Sequence, residues 1–239
     1  MSELNWDTLY SDHAEAYEVL VSHEDYRGNL PRTIQSIQPP DGNQVVVEFG
    51  CGTGRVNGLL AGCVGKLYGF DLTRSMLRVA YQKRILQGWK HVFQVQADSR
   101  RMPLRPGLAD FAIEGWAFLQ IAVWHPDDWQ NQLGRALAEM GRVVRPGGRL
   151  ILIETLGTGE SSPKVIPFYR EVYDFLEESA GFTPLAIRTD YRFETMEQIQ
   201  RVVLPLFGPE MLERLVETGA GWVLPECTGL WWRDMVKME

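Results

Sequence analysis

Cysteine and histidine are scarce in this sequence, basic residues are outnumbered, and no apolar run is long. Among 239 residues there are three cysteines and four histidines. Cys51, Cys63 and Cys227 lack the paired spacing of zinc ligands or of a disulfide framework. His13, His23, His91 and His125 form no local metal-ligand pattern, so no metal is expected. The 24 basic residues face 31 acidic ones, for a net charge of −7. Nucleic-acid binding rests largely on Lys and Arg at phosphates, so the balance argues against a nucleic-acid partner. No stretch reaches the roughly 20 apolar residues that cross a bilayer. The opening Met1-Ser-Glu-Leu-Asn-Trp6 lacks the basic-then-apolar order of a secretory signal. The expectation is a cytoplasmic protein that engages neither membrane nor nucleic acid, with its oligomeric state left open.

What is present is an ordinary globular composition, 45% hydrophobic and 23% charged, without internal repeats or low-complexity tracts. Apolar runs and helical spacings alternate along its first two-thirds. Strands are expected at 44–49, 66–70, 91–96, 109–114 and 149–154. Helices are expected at 9–21, 29–37, 55–61, 73–87 and 126–144, the last opened by Pro126. Arg145-Pro-Gly-Gly148 reads as a turn. Strands alternating with helices imply a parallel sheet covered on both faces. Beyond Thr155 the pattern gives a helix over 164–179, strands over 185–191 and 222–229, and two helices over 194–204 and 209–218. The chain reads as one α/β domain: a helical cap over 1–40, a core over 44–155, and a substrate-side part over 156–239 with a helical insertion near 193–219.

Three motifs follow strands. The first is Glu48-Phe-Gly50-Cys51-Gly52-Thr-Gly54-Arg55. Glycines permit tight turns and close ligand approach, at the strand end where doubly wound folds bind ligands. A dinucleotide fingerprint needs its third glycine three residues after the second. Here Gly54 follows Gly52 by two, and Glu48 would repel a pyrophosphate while suiting an ammonium. An NAD-dependent oxidoreductase is therefore the lesser reading. The second motif is Tyr68-Gly-Phe-Asp71, whose carboxylate can accept ribose hydroxyls or serve as a helix cap. The third is Gln96-Ala-Asp98-Ser99, where Asp98 can take an adenine amino group or remain a solvated loop residue.

Taken in order, with Arg142-Val-Val-Arg-Pro-Gly-Gly-Arg149 before the fifth strand, these motifs resemble class I S-adenosylmethionine-dependent methyltransferases. The resemblance covers roughly Val45 to Glu154. It implies a Rossmann-like, mostly parallel seven-stranded sheet, helices on both faces, and a last strand that is antiparallel and inserted beside the sixth. It implies S-adenosylmethionine as cofactor, with S-adenosylhomocysteine as product. Glu48, Gly50, Cys51 and Gly52 would hold the methionine part, and Asp71 the ribose. Leu72 and Met76 would flank the adenine, and Asp98 with Ser99 would meet its edge. Glu114, Gly115 and Trp116 would border the methionine moiety, and Tyr17 (or Tyr10) would reach in from the N-terminal segment.

The expected reaction is methyl transfer to an O, N or C atom of a small organic acceptor. Such chemistry needs alignment and water exclusion, and a base only if the acceptor must lose a proton. His125, following strand four, is the candidate base, with Glu154 second. Trp116, Phe168, Tyr169 and Tyr173 are candidate acceptor contacts. A cofactor-binding module without catalysis is the alternative, because no fixed catalytic residue is required.

Overall fold

The computed structural model describes residues 14–236. Helices α1 (Ala14–Ser22) and α2 (Asn29–Ile37) precede a βα alternation. This runs β1 (Val45–Phe49), α3 (Arg55–Leu60), β2 (Lys66–Asp71), α4 (Arg74–Leu86), β3 (Val92–Gln96) and β4 (Ala109–Gly115). It continues through α5 (Phe118–Trp124), α6 (Trp129–Val143) and β5 (Val144–Thr158). Then come α7 (Pro167–Asp174), with a wide final turn over Phe175–Ser179, and β6 (Thr183–Arg188). The chain ends with β7 (Tyr191–Phe193), α8 (Met196–Val202), α9 (Leu204–Phe207), a 3-10 turn (Pro209–Arg214), β8 (Val216–Thr218), β9 (Gly221–Leu224) and β10 (Glu226–Asp234).

The main sheet has the order β3-β2-β1-β4-β5-β10-β6. The first five strands pair in parallel, and β10 runs antiparallel between β5 and β6. This is the seven-stranded arrangement implied by the resemblance. Strands such as Leu150-Ile-Leu-Ile153 are buried on both faces, as continuous apolar runs in a parallel sheet should be. One face packs Phe49, Phe70 and Leu152 against α5, α6 and α7. The other packs Val46, Ile113 and Ile151 against α2 and α3. The order reverses between β1 and β4, which opens a crevice at their carboxyl ends.

Several expected elements differ. The helix expected over 126–144 begins only at Trp129, and a separate helix, α5, precedes it. Phe118, Leu119, Ile121 and Ala122 bury one face of α5, which sequence reading left as a connection. His125, ahead of Pro126, takes φ −130° and ψ 56°, because a proline disfavours helical backbone in its predecessor. Arg145 to Gly148 falls inside β5 as a bulge, with Gly147 at φ +75° and a register shift against β4. The expected helix over 164–179 starts only at Pro167, and the expected strand over 185–191 divides between β6 and β7.

The 193–219 segment is helical only in part, and it frames a second sheet in the order β7-β9-β8. Val216 and Thr218 pair with Val223 and Gly221 across Gly219-Ala220, a two-residue connection of the kind that closes a hairpin. The expected strand over 222–229 is split at Pro225 into β9 and β10, since proline has no amide hydrogen for a ladder.

The small sheet and the helices beside it share a core of their own. Leu20 of α1 packs with Tyr191, Phe193, Ile199, Val202, Leu206 and Leu224. Glu24 and Tyr17 place this cap over the strand ends, since both residues line the same cavity as Glu154. Of the expected N-terminal helix, residues 9–13 lie outside those described, as does Tyr10. Among the described residues, no helix is long and apolar enough to cross a membrane.

A cover resting on a small separate core should open more readily than the central sheet. Amides of α1 and of residues 196–214 are expected to exchange faster than those of β1 and β5, and to slow when S-adenosylhomocysteine is added. Hydrogen exchange checks this; equal protection in the free protein would make the cap fixed scaffold.

Candidate active site

Two cavities open at the carboxyl ends of the strands and meet at Tyr17, Trp116 and Gln120, which line both. The smaller is walled by the glycine loop, the end of β2, and the segment Asp98–Arg100. The larger, about 470 Å³, lies under the cap and reaches the end of β5.

The glycine loop is folded as its sequence demands. Gly50 has φ +68°, and a Cβ there would run into Ala117 Cβ across the crevice. Gly52 has φ +50° with nothing within 4 Å of an added Cβ, so open space lies beside its backbone. These are positions where a side chain would be strained or would close the crevice. Asp71 organises the loop from the next strand. Its Oδ2 accepts from the Gly52 amide at 2.8 Å, and its Oδ1 accepts from the Thr73 amide at 2.7 Å. Burial raises its pKa despite these bonds. Each oxygen retains a second acceptor site, so the carboxylate fits both roles suggested by the sequence: a turn cap and a contact for a diol.

Tyr17, Gly50, Gly52, Asp71, Leu72, Met76, Asp98, Ser99, Gly115 and Trp116 all line the smaller cavity. Three expected contacts lie behind it. Glu48 is buried and accepts from the Asn57 amide nitrogen of α3. Cys51 is buried, and its thiol is pushed up by desolvation and by the charges of Glu48 and Asp71. Glu114 is buried, its Oε1 accepting from the amides of Ala117 at 2.6 Å and Phe118 at 3.1 Å.

Asp98 faces the cavity with its carboxylate already engaged by Arg100, whose Nε and Nη2 donate at 2.9 and 2.6 Å. That pairing lowers its pKa. Arg100 Nη1 also reaches Gln132 Oε1 at 2.8 Å and His125 Nε2 at 3.0 Å. A guanidinium only donates, so Nε2 is the accepting side of this contact. His125 therefore stands at the Asp98 end of the smaller cavity with its lone pair spent, and it does not line the larger one.

Glu154 lines the larger cavity. Its Oε1 accepts from the Leu119 amide at 2.7 Å, and it hydrogen-bonds Glu114. Two carboxylates at such range cannot both remain ionised at neutral pH. Desolvation first, and then the Glu114 charge, holds Glu154 well above the usual carboxylate range. Glu114 Oε2 is buried without a hydrogen-bond partner among the described residues.

Of the expected acceptor contacts, Trp116 and Tyr169 line the larger cavity. Phe168 instead packs edge-on against Trp129. Tyr173 is fully buried, stacked on Trp231 with its hydroxyl donating to the Thr155 carbonyl at 2.5 Å. Trp116 holds φ +56°, an uncommon backbone state for a bulky residue and one concentrated at functional sites. Its amide donates to the Ile153 carbonyl at 2.7 Å, and Arg55 lies over its ring at 4.1 Å.

Sequence reading passed over Arg55, Gln120, Glu24 and Glu226. Arg55 was visible as a cation directly after the glycine loop, and Glu226 as a lone acid in an apolar strand. Gln120 and Glu24 carried no comparable signal. Among the described residues, no group of three or more metal-type side chains comes together.

Known proteins agree with this geometry. Residues 47–152 match a methyltransferase domain family. A demethylmenaquinone methyltransferase of Bacillus mycoides is 29% identical over 161 residues, covering 66% of this chain and 62% of that protein. The chain thus spans about three-fifths of the length of this curated relative. An S-adenosylmethionine-dependent methyltransferase from Aquifex aeolicus shares the fold with a TM-score of 0.58, at 20% identity, over 92% of this chain and 98% of that one. A phosphoethanolamine N-methyltransferase of Haemonchus contortus, solved with S-adenosylhomocysteine, overlaps with a TM-score of 0.60 at 14% identity, over 97% and 59% of the two chains.

Asp71→Ala removes the carboxylate that braces Gly52 and faces the cavity. Calorimetry is expected to show S-adenosylhomocysteine affinity lowered by about tenfold or more, the scale of one or two charge-assisted hydrogen bonds. Unchanged affinity in a folded variant would remove Asp71 from the cofactor site. Strand order and loop geometry thus agree with the methyltransferase domain family that residues 47–152 match.

Proposed function

We propose that this chain transfers a methyl group from S-adenosylmethionine to an O, N or C atom of a small organic acceptor held in the larger cavity. The observation that carries this reading is the meeting of two cavities at Tyr17, Trp116 and Gln120. One is built from the family's cofactor motifs, and the other has mixed walls of apolar and carboxyl groups. The bound cofactor supplies a methyl group on a sulfonium that is already a good leaving group. The chain's own work is then positioning and dryness, together worth on the order of 7–11 kcal/mol when alignment is good. Tyr17 and Leu20 of the cap, with Val123 of α5, wall the acceptor cavity away from water.

Asp71 and the glycine loop would hold the cofactor, with Leu72 and Met76 beside its adenine. Asp98 and Ser99 would lie at the adenine edge, with Arg100 fixing Asp98. Glu48, Cys51 and Glu114 would act from behind, by shaping the loops. An acceptor that must lose a proton would give it to Glu154. Once it has lost its own proton, a carboxyl raised by burial is a stronger base than an ordinary one. His125, tied to Arg100, is better suited to shaping the cofactor cavity. The acidic surface charge and three free cysteines suit a cytoplasmic setting.

Incubation with methyl-labelled S-adenosylmethionine and a small-molecule extract tests the reading. Label is expected in a small acceptor, with S-adenosylhomocysteine formed in equal amount. Binding of S-adenosylmethionine without product would mark a binding module instead. Glu154→Gln should lower kcat by about 10²-fold or more for an acceptor with an ionisable proton, the usual reach of general-base catalysis, with little change in KM.

A further inference from the structure

The wall of the larger cavity beneath the cap holds more buried carboxyl oxygens than it can satisfy. Glu24, in the turn after α1, has a side chain only 3% exposed, and its Oε2 accepts from Arg55 Nη1 at 2.6 Å. The Tyr191 hydroxyl is hydrogen-bonded to it as well. Beside it stands Glu226, the first residue of β10, 2% exposed. Its Oε1 accepts from Thr155 Oγ1 at 2.8 Å. Among the described residues Arg55 is thus the single guanidinium lining this cavity, facing Glu24 and Glu226 on one side, with Glu154 further along the same space. Lys164 and Glu160 also line it, but they pair with each other at 3.0 Å and Lys164 is largely exposed.

Two acceptor atoms on this wall are left over. Glu24 Oε1 and Glu226 Oε2 are buried and have no hydrogen-bond partner among the described residues. Buried polar atoms without partners are rare in folded proteins, and they are commonly answered by something absent from the bare chain. Desolvation, and next the Glu24 charge, pushes the Glu226 carboxyl up to about 8, with the hydroxyls of Thr155 and Thr158 offsetting part of the rise. Glu226 thus keeps its proton in the empty cavity, and the wall still leaves two carboxyl oxygens, Glu24 Oε1 and Glu226 Oε2, without a hydrogen-bond partner. The rest of the cavity is mostly apolar and aromatic: Leu20, Leu119, Val123, Ile166, Tyr169 and Phe207.

We propose that the acceptor is an amphiphilic amine, its ammonium group held between Glu226 and Glu24 and its apolar body lying along α5 and Tyr169. An ammonium offers several donors and a charge, so it answers both leftover oxygens at once and favours the ionised form of Glu226. A neutral hydroxyl answers one oxygen and no charge. An anionic acceptor would meet three carboxyl groups and find Arg55 already paired. This inference rests on the larger cavity being the acceptor site, as proposed above.

A matched pair of probes tests it: 2-phenylethylamine and its neutral counterpart 2-phenylethanol, titrated by calorimetry into protein saturated with S-adenosylhomocysteine. The amine is expected to bind about tenfold or more tightly than the alcohol, the scale of one charge-assisted contact. Glu226→Gln preserves shape and the Thr155 contact, and it is expected to abolish most of that preference while leaving S-adenosylhomocysteine affinity unchanged. Equal or tighter binding of the alcohol overturns the proposal, as does failure of the amine to bind, or an amine preference that survives Glu226→Gln. Failure of S-adenosylhomocysteine itself to bind would instead defeat the cofactor assignment, so the two failures are told apart in one preparation.

Discussion

Buried carboxyl groups stand in the four neighbouring strands β2, β1, β4 and β5, near their carboxyl ends, and the loops of the site hang from them. Asp71 takes the amides of Gly52 and Thr73; Glu48 takes Asn57; Glu114 takes the amides of Ala117 and Phe118; Glu154 takes that of Leu119. The amides of Ala117, Phe118 and Leu119 open α5, whose N-cap residue supplies no side-chain bond of its own. Helix starts leave N–H groups unsatisfied and carry partial positive charge. Acids at strand ends therefore do the capping from outside the helix. This fixes α5, and with it Gln120 and the strained Trp116, at the junction of the two cavities. Burying these acids is costly, and the amide bonds offset that cost in the folded state alone.

The same row explains how the site divides its work. Carboxyls on the cofactor side are engaged in holding loops, so the cofactor meets a preformed cradle. Farther under the cap the engagement is incomplete. Glu154 stands beside Glu114 with its carboxyl held well above the usual range, and Glu24 and Glu226 each keep a spare oxygen. Chemistry and selectivity are assigned to the groups left with capacity, and scaffolding to those without.

The cofactor half was legible because its demands are local. Gly50 and Gly52 announce a backbone that needs left-handed φ, and Asp71 announces a strand end five residues after Lys66. The apolar run Leu150–Ile153 could only be a strand buried on both faces. The acceptor half was not legible, because its residues come from α1, α3, α5, β7, α9 and β10 and meet only in three dimensions. Nothing near Glu24 in sequence announces Arg55 as its partner. Tyr173 and Phe168 lay in a segment rich in aromatics, and packing on Trp231 and Trp129 drew them into the core while Tyr169 faced the cavity. Strand 216–218 is short and polar and read as helix, and strand 221–224 read as part of a longer strand that Pro225 divides. His125 followed the right strand, yet its orientation depends on Arg100, which is 25 positions away.

The account stands or falls on which cavity holds the cofactor and where its sulfur points. A crystal structure with S-adenosylhomocysteine bound measures this directly. The account predicts the ribose hydroxyls on Asp71, the adenine between Leu72 and Met76, and the sulfur beside Trp116 and Gln120, opening onto the cavity walled by Glu154 and Glu226. A ligand lodged under the cap against Glu24 and Glu226, or a sulfur turned away from Trp116, would contradict it.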